Sequence, residues 1–173
     1  MASEQDILNQ LNDVDLSKVE TSFPILATGI VPVTIGKCEF VSEDSKKKPG
    51  EKNTYLHVDY SLAQPWKTVG IDGAPSKPVN HGDRGSQMTE RIYVGKFIDK
   101  KDGTEKWYGL DRITKLREAV YGKAPEGTRF IAPEMIGQTV MLNLKFNPAP
   151  VNKDTGEVYG PRTEIASYVR KSK

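Results

Sequence analysis

The side chains best suited to chemistry in this sequence are aromatic and basic, and they recur along its loops and strands. Aromatic rings can stack on nucleic-acid bases while lysines and arginines follow the phosphate backbone, so this combination is typical of proteins that hold single strands. The sequence predicts the following nucleic-acid-binding residues: Lys46, Lys47, Lys48, Lys52, Tyr55, His57, Trp66, Lys67, Arg84, Arg91, Tyr93, Phe97, Lys153, Tyr159 and Arg162.

Several of these residues have an equally simple structural interpretation. The lysines at 46–48 could form only a solvated turn. Tyr93 and Phe97 could pack in the core or at its rim, because one sequence does not assign the faces of a strand. His57 falls on the polar side of its strand, where a solvated or hydrogen-bonded role is the simpler expectation.

The two tryptophans receive opposite predictions. Trp66 lies in a long segment rich in proline and glycine and is expected to be exposed, which is uncommon for tryptophan and favours binding. Trp107 precedes a helix and is expected to plug one end of a barrel.

Motifs that would indicate an enzyme or a metal site are missing from the sequence. There is no phosphate-binding G-x-x-x-x-G-K-[ST], no G-x-G-x-x-G after a strand and no H-E-x-x-H. Two histidines and the single Cys38 are too widely spaced for a metal site. The segment 99–103 lacks the rest of a calcium loop and is predicted to be a hairpin turn. We therefore expect no catalysis and no cofactor.

Length and composition indicate one domain with appendages. The chain has 173 residues, 36% of them hydrophobic, and no apolar run of the roughly 20 residues that a membrane span needs. The acidic N-terminus has no apolar signal region, so we expect a cytoplasmic location, in the host cytoplasm if the protein is viral. The whole chain carries +2 and residues 1–20 carry −4, which leaves +6 on residues 21–173.

Residues 3–16 are predicted to form a short amphipathic helix. Ser3 and Asp6 have the spacing of a helix cap, and Ile7, Leu8, Leu11 and Val14 fall on one stripe. Such a short helix must dock or fray, and it could bind a protein partner or mediate homo-oligomerisation. We therefore divide the chain into an N-terminal helix and linker, 1–27, and a body, 28–173.

The body alternates apolar and polar residues in five stretches. The first begins at Gly29 and changes phase at Gly36, as a β-bulge would. A helix is predicted at 110–121, between the third and fourth strands, and 65–87 is predicted to be a long loop. The other strands are predicted around 54–62, 89–98, 139–146 and 163–170. This order predicts a mainly β fold, a five-stranded Greek-key barrel of the OB type with one helix between strands 3 and 4 and a short N-terminal helix.

The chain resembles phage-encoded single-stranded-DNA-binding proteins of the OB type. The matching segments are GIVPVTIGKCEFV, YLHVDYSL, LDRITKLREAVYG, and EMIGQTVMLNLKF followed by VYGPRTEIASYV. The resemblance implies a protein that coats and protects single-stranded DNA in replication or recombination, without a cofactor, and that could contact replication or recombination proteins. One difference is that such proteins often end in an acidic tail, whereas this chain ends in the basic YVRKSK and is acidic at its N-terminus.

Two other functions fit the same pattern of elements. A viral structural or assembly protein could use such a barrel as a building block, and an OB module could instead bind an oligosaccharide or a peptide. Salt separates the first from a nucleic-acid binder, whose affinity falls steeply as the salt concentration rises. Charge reversal at Lys46–Lys48 separates the second, since it should not affect sugar or peptide binding.

Overall fold

The computed structural model of the chain describes residues 3–13, 15 and 24–171. This part of the chain is mainly β, with two α-helices, α1 (Glu4–Asn12) and α2 (Leu110–Tyr121), and a short 3-10 helix, Ala132–Met135. Its strands are β1 (Ile25–Leu26), β2 (Gly29–Asp44), β3 (Lys52–Leu62), β4 (Trp66–Val69), β5 (Pro75–Val79), β6 (Gln87–Ile98), β7 (Glu105–Tyr108), β8 (Thr139–Asn147) and β9 (Arg162–Tyr168).

Six of these strands form one curled sheet, a half-barrel, in the order β7-β6-β3-β2-β8-β9. All of its neighbouring strands are antiparallel. The long β2 pairs with β8 through residues 29–34 and with β3 through residues 33–44, so it belongs to both halves of the curl. Its register shifts between Ile35 and Lys37, which confirms the bulge predicted at Gly36.

The core lies inside the curl and follows the predicted alternation. Leu56, Val58, Tyr60 and Leu62 of β3 are fully buried, and so are alternate residues of β2 and β8. Helix α2 packs against this core with Ile113, Leu116, Ala119 and Val120. The helix bounds match the prediction, and Gly122 ends the helix with a φ of 80°.

A polar cluster connects β6 and α2 with the edge strand β9. Glu90 of β6 accepts hydrogen bonds from the hydroxyls of Tyr60 (3.0 Å) and Tyr168, and from the guanidinium of Arg112. Arg112 also donates to the backbone oxygen of Ile165, 3.0 Å away. Burial and the nearby charge of Glu90 raise the pKa of Tyr60 well above its usual value, so its hydroxyl remains a donor. These contacts tie β9 to β6 through side chains.

Residues 65–87 are not the long loop that the sequence predicts. They contain β4 and β5, which form a hairpin and, with β1, a separate three-stranded sheet in the order β1-β4-β5. The sequence analysis predicted a loop here because proline is rare inside strands. Pro75 and Pro78 nevertheless lie in the five-residue strand β5, which pairs with β4 alone and can therefore contain proline as an edge strand.

The six-stranded sheet contains one strand, β7, that the sequence analysis did not assign. Glu105–Tyr108 pairs with β6 beyond the turn at 99–103, which confirms that turn as a hairpin. The prediction that Trp107 plugs the barrel is wrong, since this residue lies on the edge strand β7 with 52% of its surface exposed.

The N-terminal helix begins as predicted but is shorter. Ser3 and Asp6 form the predicted cap, in which the Asp6 amide donates to the Ser3 hydroxyl. The helix ends at Asn12, and Val14 lies outside the described residues. Ile7 and Leu8 are about half exposed, at 50% and 48%. None of the helices in the described ranges is long and apolar enough to cross a membrane.

Candidate nucleic-acid interface

A groove of about 1200 Å³ runs between the β2–β3 loop and the β6–β7 hairpin, and Asp154 of the β8–β9 loop lines its wall. We call it the basic–aromatic groove. Its basic residues and large aromatic residues are Lys46, Lys47, Lys48, Lys52, Arg91, Tyr93, Lys96, Phe97, Trp107 and Tyr108.

Three exposed rings form a row along one side of the groove. Tyr93 and Phe97 point to the same face of β6, because side chains alternate along a strand. Tyr108 of β7 is opposite Gly95, midway between them, and its ring centre lies 6.4 Å from that of Phe97. Between 44% and 46% of the surface of each residue is exposed. We call Tyr93, Tyr108 and Phe97 the aromatic row; it offers flat apolar surface to the solvent.

A fourth aromatic residue of the groove, Trp107, lies beside a lysine and, because side chains alternate along β7, points to the opposite face of the hairpin from the aromatic row. Trp107 is opposite Lys96 across the β6–β7 ladder, and the Lys96 ammonium lies 4.9 Å from the indole centre. Lys96 also forms an ion pair with Glu105, at 3.4 Å. The arrangement places a positive charge beside an exposed indole.

Tyr55 lies on the predicted face of β3 but is not available to a ligand. Only 3% of its surface is exposed, because Tyr93 lies against it at 5.6 Å and the Arg91 guanidinium covers its ring at 4.7 Å. The prediction that Tyr55 stacks on a base therefore needs correction. Its ring supports Tyr93 and Arg91 from below.

His57 has the hydrogen-bonded role that was the simpler expectation. It is half-buried, next to Arg91 in the register, and its Nε2 lies 2.9 Å from the Asp59 carboxylate. Asp59 also accepts a hydrogen bond from Thr89 at 2.6 Å, so these side chains bind one another across β3 and β6.

The β2–β3 loop presents its lysines to the solvent at one end of the groove. Lys47 forms an ion pair with Asp154 at 2.6 Å, and Lys48 with Glu51 at 3.6 Å. Arg91 forms a longer pair with Glu43, at 3.8 Å. Within the described part of the chain, Lys46 and Lys52 have no carboxylate at salt-bridge distance.

Other predicted residues lie outside the groove lining. The prediction that Trp66 is exposed is wrong: its ring packs against the core and over Gly29, and its indole N–H donates to the Ala27 oxygen at 3.0 Å. Its neighbour Lys67 is exposed on β4. Arg84 lines a separate small depression, and Arg162 is paired with Glu164 at 3.0 Å beside another cavity.

The two predicted residues of the β8–β9 loop also lie outside the groove lining. Lys153 is exposed next to the lining residue Asp154. Tyr159 is 42% exposed, and its hydroxyl accepts a hydrogen bond from the Asn152 amide at 3.0 Å.

Three basic or large aromatic residues of the groove were not among the predicted site residues: Lys96, Trp107 and Tyr108. A signal was present, since Asp-Gly at 102–103 is typical of a hairpin turn, and the aromatic Trp107 and Tyr108 that come after it are residue types enriched in strands. The long β6 and the short β7 together carry the aromatic row.

No protein-family model matches the sequence, and no curated protein matches it significantly. The described residues also contain no group of three or more histidine, cysteine or carboxylate side chains that could hold a metal ion. The geometry of the groove is therefore the basis on which a function can be proposed.

Proposed function

We propose that this protein is a non-catalytic single-stranded-DNA-binding protein, which coats and protects single strands during replication or recombination. The observation that carries the proposal is the aromatic row, which lies in one groove with the lysines of the β2–β3 loop. Exposed rings and mobile cations are the two components of sequence-tolerant single-strand binding.

The proposal includes an OB-type barrel built from β2, β3, β6, β8 and β9. In its support, these strands follow one another in the OB order, α2 lies between the third and the fourth, and the first strand pairs with both the second and the fourth. On this interpretation β7 and the β1-β4-β5 sheet are additions. In OB barrels the face of strands 2 and 3 and the loops 1–2 and 4–5 bind oligonucleotides, and the corresponding parts here border the groove.

The chemistry of the site favours single strands over duplexes. Bases in a duplex are stacked on each other and do not offer their flat faces to Tyr93, Tyr108 and Phe97, whereas those of a single strand do. Lys46 and Lys52, which have no carboxylate at salt-bridge distance among the residues that the structure describes, then neutralise phosphates without displacing one. Stacking would contribute about 1–3 kcal/mol per base.

The proposal is tested by fluorescence-anisotropy titration with labelled oligo-dT, oligo-rU and duplex DNA at two salt concentrations. We expect salt-sensitive binding to single strands that weakens in Tyr108→Leu. Tyr121→Leu is the matched control, because Tyr121 is on α2, outside the groove lining, and is similarly exposed at 43%. The absence of binding to all three probes at low salt would refute the proposal and favour an assembly role. Equal losses in the two variants would place the site elsewhere.

A further inference from the structure

Carboxylates accompany the cations of the basic–aromatic groove. Asp154, Glu51 and Glu43 pair with Lys47, Lys48 and Arg91, and Glu105 pairs with Lys96. A polyanion that enters the groove must therefore compete with anions that already belong to the protein. Ion pairs between exposed side chains are weak, so such competition is feasible.

One of these pairs joins two separate loops. Lys47 is in the β2–β3 loop and Asp154 in the β8–β9 loop, and both line the groove. The Lys47 Nζ donates to the Asp154 Oδ2 at 2.6 Å, although 79% and 71% of the two side chains are exposed. Of the other three pairs, Lys48–Glu51 lies within one loop, Lys96–Glu105 joins the adjacent strands β6 and β7, and Arg91–Glu43 reaches from β6 across β3 to β2. The Lys47–Asp154 pair, which we call the loop bridge, is therefore the ion pair that connects these two loops among the described residues of the groove.

We propose that the loop bridge is an autoinhibitory contact, in which Asp154 occupies Lys47 until the phosphate backbone of a single strand displaces it. The inference rests on the proposed function and assigns a regulatory role to a carboxylate of the same site. In the free protein the hydrogen bond and the charge attraction raise the pKa of Lys47 and lower that of Asp154, so both are charged at neutral pH.

The need to displace Asp154 reduces what the contact between Lys47 and a phosphate contributes to affinity. Binding to nucleic acid releases condensed counterions, and for single strands the slope of log affinity against log salt is roughly −0.7 per phosphate neutralised. A phosphate that must first displace Asp154 gains less from Lys47 than one that meets a free lysine. Removing the carboxylate should strengthen binding and leave Lys47 fully available to the strand.

The test is a double-mutant cycle on the full chain, with oligo-dT as the probe. We expect Asp154→Asn to bind about two- to fivefold tighter at low salt, the range set by the usual strength of an exposed ion pair. Glu157→Gln is the matched control: it removes the same charge from the same loop, and Glu157 forms no salt bridge among the described residues. In the Lys47→Gln background Asp154→Asn should change the affinity little.

The outcomes separate this inference from the proposed function. If the wild type binds oligo-dT and Asp154→Asn binds no better than Glu157→Gln, the loop bridge is not inhibitory, while the binding function stands. An equal gain with and without Lys47 would also overturn the inference, since it would reflect only general electrostatics. If no variant binds oligo-dT at low salt, the proposed function fails and the inference with it.

Discussion

Tyr108 lies directly across the backbone of Gly95, so closely that a methyl group added at Gly95 would overlap the Tyr108 hydroxyl. The two residues are opposite each other in the β6–β7 ladder. Because Gly95 has no side chain, the Tyr108 ring can fill the gap between Tyr93 and Phe97. This single contact makes a continuous row from three rings on two strands.

Substitution of Gly95 should therefore disrupt binding without unfolding the protein. In Gly95→Ala the methyl group displaces the end of a flexible, exposed side chain, and the aromatic row is interrupted. We expect the affinity for oligo-dT to fall by about 1–3 kcal/mol if one base loses its stacking partner. Anisotropy titration measures the loss.

The control for this change is Gly160→Ala, where an added methyl group meets nothing within 4 Å. It should bind like the wild type, with both variants unfolding at similar urea concentrations. Wild-type affinity in Gly95→Ala would show that the position of Tyr108 does not matter for binding.

Lys46 and Lys52 have no salt-bridge partner in the described ranges and should dominate the salt dependence of binding. Replacement of both Lys46 and Lys52 by glutamine should flatten the plot of log affinity against log salt, by roughly 0.7 for each phosphate that the protein no longer neutralises. Lys115→Gln, on the exposed side of α2, is the control and should leave the slope unchanged. A double variant with the wild-type slope would mean that the β2–β3 loop does not contact the backbone of the strand.

Alternation of apolar and polar residues was sufficient to predict the main strands and the bulge, and helical spacing of apolar residues was sufficient to predict α2. Each of these features depends on local sequence. Val58 and Leu142 are buried as their parity requires, and Gly36 marks the register shift. The loops at the end of the groove were also predictable from composition. Contacts across strands were not, and Tyr55 shows why: its exposure depends on Arg91 and Tyr93, which are more than 30 residues away.

Trp66 illustrates a second limit of the sequence. Its neighbours favour a loop, yet the ring packs beside Gly29 on a core that β1 and β4 complete. The two-residue β1 is too short to be recognised without its partner. Burial here follows from tertiary pairing, which no local pattern encodes.

The Glu90 cluster should be important for stability because it joins β9 to β6. Glu90→Gln keeps the volume but removes the charge that faces Arg112 and one acceptor oxygen. We expect it to lower the free energy of unfolding by about 1–3 kcal/mol, the cost of leaving a half-buried polar group without its partner. Urea denaturation followed by circular dichroism measures the change.

Glu164→Gln provides the comparison for this prediction, since it breaks the exposed pair with Arg162. It should change stability by no more than about 0.5 kcal/mol. Equal effects of the two substitutions would contradict the view that the Glu90 cluster closes the curl.

Cys38 should be protected in the native protein. Burial raises the pKa of its thiol from 9.0 to about 11, so at pH 8 it is both covered and protonated. A thiol reagent such as Ellman's should label it only as fast as the protein opens, and immediately in denaturant. Rapid labelling of the folded protein would show that β2 is not packed as described.

The same shift predicts a loss of stability in alkali. Between pH 9 and 11 the thiol ionises in the unfolded chain but not in the folded one, so its contribution to stability declines as the pH rises. Measured by urea denaturation, the stability of wild type relative to Cys38→Ala should decrease over this range. A stability difference between wild type and Cys38→Ala that stays constant over this range would contradict the raised pKa of the thiol.

The most direct test of the central claim uses the emission of a single tryptophan in the groove. The chain has two tryptophans, so Trp66→Phe leaves only Trp107, which lines the groove beside Lys96. Titration with oligo-dT should quench this emission with the same midpoint as the anisotropy change, and added salt should restore it. In Trp107→Phe the remaining Trp66 should keep its emission. An anisotropy change that leaves Trp107 unquenched would mean that single strands do not contact the Trp107 side of the groove, and no change in either signal at low salt would contradict single-strand binding itself.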